Sequence, residues 1–183
     1  MSFERTLAQY DAIIQECQNV FIKKTIDYGT SWRVLRARSL TDQMYIKAKR
    51  IRTIDETGSQ QIEDSISSEF MGLVNYGYMA LIQLSLSEEW PAELTLEEAT
   101  ELYSRVAEEV RALMIAKNTD YGEAWRDMRI SSFTDLILSK LHRIKQIEDN
   151  KGNTLISEGV DANYKDIINY SIFALIKISE LND

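Results

Sequence analysis

The chain has 183 residues, 44% of them hydrophobic, with only seven glycines and one proline; this is enough apolar mass for a core, and too few breakers for a turn-rich β fold, so an all-α protein is expected. A net charge of −8 excludes a general duplex-DNA binder, and the single cysteine, Cys17, excludes an intrachain disulfide or a cysteine-based zinc site and reads as a small buried hydrophobe. No apolar leader core opens the chain and no run approaches the roughly 20 apolar residues of a membrane span, so no membrane partner and a soluble cytoplasmic setting are expected.

Helical periodicity predicts a first helix over 3–24, followed by "KTIDYGTSW" at 24–32, where Gly29 serves as the C-terminal stop and Trp32 rides on a short helical turn. The second helix is expected to begin at Thr41 as N-cap, with Asp42 suited to the positive helix end, and to run to about Glu56. From Arg33 to Arg52 there are seven basic residues against one acid, Asp42. A third helix over 67–87 is apolar on most sides and belongs at the centre of a bundle. "EEWPAEL" then links to a helix over 96–117, opened by the capping box of Thr95 and Glu98. The eight glutamates between Glu88 and Glu109 read as a solvated helix face. "KNTDYGEAW" at 117–125 follows with Gly122 and Trp125, then a helix from Thr134 to about Asp149, and a last apolar helix over 161–181.

The second half repeats the first. Residues 21–57 laid on 114–150 give 15 identities in 37 positions; after one extra residue, Lys151, residues 58–85 laid on 152–179 give 8 in 28. Two copies are too few for a solenoid. The expected architecture is an internally duplicated helical bundle with pseudo-twofold symmetry, with repeats over 1–88 and 95–183, a linker over 89–94, and the two packed as one compact unit.

Some shared residues have structural explanations: the glycines for left-handed turns, Trp32 and Trp125 as packing anchors, Ala80 to Ile82 as core. The second helix is different. Lys47, Arg50, Ile51 and Ile54, matched by Lys140, Arg143, Ile144 and Ile147, fall within one sector of about 100°. Cations on an apolar face need an anionic partner. Inside the chain the candidates are Asp27 and Asp120, Asp42 and Asp135, and the carboxylates before the third helix. Outside it a phosphate would serve, and snorkelling at the edge of the face is a third arrangement. Asn75 and Asn169, each followed by Tyr in an apolar run, must find hydrogen-bond partners, which suits either a specificity device or base recognition. Glu158, Asp161 and Asp166 cluster at the start of the last helix, whereas the first copy has Glu63, Asp64 and Glu69 with Gly72 opposite Asp166. Hard oxygen ligands of this kind suit Mg²⁺, and the set reads equally as acidic helix capping. His142, the one histidine, stands where the other copy has Lys49 and reads as a surface residue.

K-x-x-D-Y-G, a helix with K-x-x-R, then an acidic segment leading into D-x-x-N-Y resembles the nucleotide modification associated domain 1 family in its tandem two-copy form, over nearly the whole chain. The resemblance implies a link to nucleotides. A more distant likeness to the all-α nucleotide pyrophosphatases of the MazG and dimeric dUTPase type implies Mg²⁺ held by paired carboxylates. Glu158-x-x-Asp161 stands for the second pair of that type, while the first departs from it, since Glu108 and Glu109 precede Ala112. The expectation is a small-molecule nucleotide-binding protein, pyrophosphohydrolase-like in its fullest form. In it Lys140 and Arg143 hold phosphates, Glu158, Asp161 and Asp166 hold Mg²⁺, Asp120 and Glu158 act as catalytic carboxylates, and Asn169 and Tyr121 contact base or sugar. Lys47, Arg50, Asp27 and Asn75 are the first copy's equivalents. The alternative is a non-catalytic helical interaction module with a structural Asp–Lys–Arg network. A homo-oligomer is compatible with either.

Overall fold

The structure, a computed structural model, describes residues 2–59, 65–87 and 89–183; Glu63, Asp64 and Glu88 lie outside the described residues. These form six α-helices: α1 (Ser2–Tyr28), α2 (Ala37–Thr57), α3 (Ile66–Ser85), α4 (Leu96–Tyr121), α5 (Ile130–Asp149) and α6 (Val160–Asn182), with 3₁₀ turns at Ser31–Val34 and Ala124–Asp127. Both Asp-Tyr-Gly segments end a helix as expected. Gly29 (φ 70°) and Gly122 (φ 59°) are left-handed, and each donates its N–H to the carbonyl four residues back, at 2.8 and 3.0 Å. The Thr95–Glu98 capping box is complete.

The second helix of each copy starts five residues earlier than expected, with the extended Arg36 and Arg129 as N-caps. Thr41 and Thr134 are therefore interior, not N-caps. Both are buried, and their hydroxyls turn back to the carbonyls of Ala37 (3.2 Å) and Ile130 (3.5 Å). Thr41 also meets the Tyr164 hydroxyl at 2.6 Å. Asp42 and Asp135 accordingly do not serve the helix start; they reach across to the other copy, to Lys145 (3.3 Å) and Arg52 (3.8 Å).

α3 and α6 pack against each other at the centre, and α2 and α5 against these and one another. Ala80, Leu81 and Ile82 are buried with Phe70, Leu73, Ile168, Ile172 and Ile176. The approach of the central pair is close at Gly77, where a Cβ would lie 2.5 Å from Cγ1 of Ile168. Cys17 is fully buried, and burial pushes its thiol up to about 12.

Pseudo-twofold symmetry is written into the polar contacts. Asn75 donates to the Cys17 carbonyl of its own copy (3.0 Å) and accepts from Tyr103 of the other (2.8 Å). Asn169 donates to the Val110 carbonyl (3.5 Å) and accepts from Tyr10 (2.6 Å). The buried asparagines thus fasten each central helix to both copies.

Two substitutions test this core by chemical denaturation. Gly77→Ala forces α3 and α6 apart and is expected to cost about 1–3 kcal/mol by overpacking. Tyr103→Phe leaves the buried Asn75 carbonyl oxygen without its donor and is expected to cost about 1–3 kcal/mol.

Candidate functional site

Each copy carries a cavity beside its own third helix. In the second copy it measures about 320 Å³ and is lined by Met114, Lys117, Asn118 and Tyr121 from α4, Ala124, Trp125 and Met128 from the turn, Lys140 from α5, and Asp166, Asn169, Tyr170 and Phe173 from α6. In the first copy it measures about 530 Å³. Applying the repeat offset of 93 residues, or 94 beyond Lys151, every one of those side chains has its counterpart in the first wall. These are Phe21, Lys24, Thr25, Tyr28, Ser31, Trp32, Leu35, Lys47, Gly72, Asn75, Tyr76 and Met79.

The duplicated K-x-x-D-Y-G-x-x-W stretch is therefore a cavity wall. Its Lys and Tyr stand four apart at the end of α1 or α4 and so share a helix face. The glycine ends the helix, and the 3₁₀ turn carries the Trp back against the core. Trp125 stacks on Phe173 with centroids 4.3 Å apart, and Trp32 packs at a tilt on Phe21. Trp125 donates its Nε1–H to Asn118 (3.1 Å). Thr25 stands in place of Asn118 and gives its hydroxyl to the Phe21 carbonyl. The buried Trp32 Nε1 and Asn118 Nδ2 consequently have no acceptor among the described residues.

A buried carboxylate meets the cations in each copy. Glu69 lies 3.8 Å from Lys47 and 3.4 Å from Arg50. Asp166 holds Lys117 at 2.7 Å and Lys140 at 3.0 Å, one oxygen to each. Burial works against the Lys117 ammonium, but the hydrogen bond and charge of Asp166, with smaller contributions from Tyr170 and Glu158, hold its pKa above the ordinary lysine value. Burial, reinforced by Asp166, pushes the Tyr170 phenol up; burial, then Tyr28 and Glu69, does the same at Tyr76. Both phenols are neutral donors at physiological pH.

Of the residues expected from sequence, Lys140, Tyr121, Asn169, Asp166, Lys47 and Asn75 line the cavities. Arg50 stands beside Lys47 on Glu69. Arg143 and Glu158 line an adjoining groove of about 1320 Å³ between α5 and segment 150–159, which shares Lys140 with the second cavity. Asp27 and Asp120 do not face the cations: both are exposed, line neither cavity, and form no ion pair among the described residues. The helix runs on past them to Tyr28 and Tyr121, which turns the Lys and Tyr, not the Asp, inward. Nor does the chain gather Glu158, Asp161 and Asp166 about one point. Among the described residues no three His, Cys, Asp or Glu side chains form a metal-holding group. Glu158 and Asp161 are exposed, and both Asp166 oxygens are taken by lysines. This carboxylate set does not fit a Mg²⁺ ion. Lys24, Lys117, Trp32, Trp125, Tyr28, Tyr76 and Tyr170 were not among the residues expected to form the site. For Lys24, Lys117 and Tyr28 the signal lies in the repeated motif, as the (i, i+4) pairing of Lys and Tyr; Trp32 and Trp125 share that motif, and Tyr76 and Tyr170 are identical between the copies in α3 and α6.

The family described as nucleotide modification associated domain 1 matches the chain twice, over residues 24–84 and 117–178, and both matches begin at the cavity-lining lysine. No curated protein and no solved structure matches. No helix among the described residues is long and apolar enough to cross a membrane.

Asp166→Asn is expected to destabilise the fold by about 1–3 kcal/mol, because Lys140 loses its anionic partner in a largely buried setting. The pH dependence has a definite sign. Lys117 is raised in the folded state, so its contribution is complete below the unfolded lysine value of about 10.4 and is lost as pH rises through the folded value. Melting temperatures between pH 9 and 11.5 should fall more steeply for the native chain than for Asp166→Asn.

Proposed function

The chain belongs to the nucleotide modification associated domain 1 family, and on that premise we propose that each copy holds a nucleotide in its cavity. The base lies against the aromatic wall of Tyr121, Trp125 and Tyr170, or of Tyr28, Trp32 and Tyr76. The phosphate lies toward the Lys and Arg side chains, an arrangement that suits a point charge and a planar fork. Volumes of about 320 and 530 Å³ are of the size that small-molecule sites use.

One observation carries this reading. Tyr28 and Tyr121 are 58% and 72% exposed, yet both copies keep them at the cavity rim, four residues after an exposed lysine. Packing gives no reason to hold an exposed tyrosine at the rim twice, whereas a ligand that stacks there does. The reading is one of binding. Asp120, expected as a catalytic carboxylate, is outside both walls, and Glu158 lines the neighbouring groove.

The test is thermal denaturation across the common ribo- and deoxynucleotides. A ligand at 100 times its dissociation constant is expected to add about 2.7 kcal/mol. Tyr121→Ala should weaken binding to the second copy by about 1–3 kcal/mol, roughly 5- to 150-fold in Kd. A well-folded protein that shifts with no nucleotide would sink the reading and favour the alternative, a helical interaction module whose Lys–carboxylate pairs serve the fold alone.

A further inference from the structure

Each copy carries three equivalent cations: Lys24, Lys47 and Arg50 in the first, and Lys117, Lys140 and Arg143 in the second. The buried carboxylate that meets them, however, stands one helical turn apart. In the first copy Glu69 takes Lys47 and Arg50. Its counterpart is Asn163, whose amide is tied to the Gly159 carbonyl at 2.9 Å. In the second copy the carboxylate is Asp166, at the position of Gly72, and it takes Lys117 and Lys140. The exchange is concerted. A Cβ at Gly72 would lie 2.7 Å from both Cδ and Cε of Lys47, so in the first copy the lysine stem lies across the helix surface from which Asp166 projects in the second.

The uncompensated charge therefore falls in different places. In the first copy Lys24 makes no ion pair among the described residues and lines the cavity. In the second both cavity lysines are held by Asp166. The cation without an ion pair among the described residues is Arg143, which lines the groove outside. A carboxylate lines each cavity, Glu69 in the first and Asp166 in the second, but a phosphate in the first would still find Lys24 outside the Glu69 pairs. In the second both cavity lysines are already on Asp166, and a phosphate in the groove would meet Arg143 with Lys140 at the junction.

We propose that, given nucleotide binding as read above, the two copies select different phosphate lengths. The first takes a nucleoside monophosphate, its phosphate inside the cavity on Lys24. The second takes a di- or triphosphate whose chain leaves the cavity past Lys140 and ends on Arg143 in the groove. The carboxylate position, on residue 69 or residue 166, is the specificity determinant.

Single-tryptophan chains separate the two sites. Trp90→Phe with Trp125→Phe leaves Trp32 as the reporter of the first cavity, and Trp90→Phe with Trp32→Phe leaves Trp125 for the second. Each is titrated with the four deoxynucleoside monophosphates and the four triphosphates in EDTA. Trp32 should respond to monophosphates, at least tenfold more weakly after Lys24→Ala and unchanged after Arg143→Ala. Trp125 should prefer triphosphates by at least tenfold, a preference that Arg143→Ala abolishes. Glu69→Asn with Gly72→Asp should remove the first site's dependence on Lys24. Calorimetry on the otherwise native chain, with Lys24→Ala and Arg143→Ala made singly, gives the same readout should a tryptophan variant fail to fold. Equal preference at both tryptophans, or triphosphate binding indifferent to Arg143, overturns the difference between copies and leaves the nucleotide reading standing. No response at either tryptophan and no heat from the native chain overturns both.

Discussion

The contact between α3 and α6 governs the rest of the molecule. Two helices apolar on most sides meet at the centre, closely enough at Gly77 that Ile168 lies over its backbone. Any polar side chain on them must be satisfied inside the protein, where an unpaired amide is costly. Asn75 and Asn169 meet that demand by bonding to a backbone carbonyl in their own copy and a tyrosine hydroxyl in the other. Either copy alone would leave its asparagine oxygen without the tyrosine donor. The two copies are thus joined in register by a reciprocal pair of hydrogen bonds.

With the asparagines committed to the core, chemistry is left to the flanks. Each cavity opens where the end of α1 or α4, the 3₁₀ turn and a lysine of α2 or α5 surround the central helix. The lysines that reach in are partly withdrawn from water, and a bare ammonium in such a place is unfavourable. Both copies meet the requirement with one buried carboxylate, and they meet it differently. Glu69 and Asp166 are separated by a single turn in register, which is enough to exchange the cations each neutralises. Packing has been kept while the local electrostatic pattern has diverged.

Much of the fold was legible in the chain. The repeat, the glycine stops, the Thr95 capping box and the central placement of the last helix of each copy follow from local patterns that tertiary structure has no reason to overrule. Thr41 and Thr134 show the limit. A threonine followed by aspartate is a good helix start in isolation, but here the threonine is buried and satisfied by the carbonyl four residues back, and the aspartate has a cation across the pseudo-twofold interface. The site was half legible. The second-helix face points to Lys47 and Lys140, whereas the asparagines, expected to contact base or sugar, are spent on core hydrogen bonds, and the aspartates of the motif overshadow Lys24 and Lys117, which stand three residues before them. The helix end decides between them, because it extends through the tyrosine and brings Lys and Tyr, four apart, onto one face.

By itself the sequence determined that this is a duplicated all-α chain with cations on an apolar helix face, since periodicity, capping and repetition are properties of neighbouring residues. It could not say which carboxylate meets those cations. Asp27, Asp42, Glu69 and Asp166 were all chemically eligible, and the choice depends on interhelical distances of a few ångströms and on whether a backbone position such as Gly72 leaves room for a lysine stem to lie across it. Only the packed structure decided that, because an ion pair is made by the relative placement of two helices and not by either one alone.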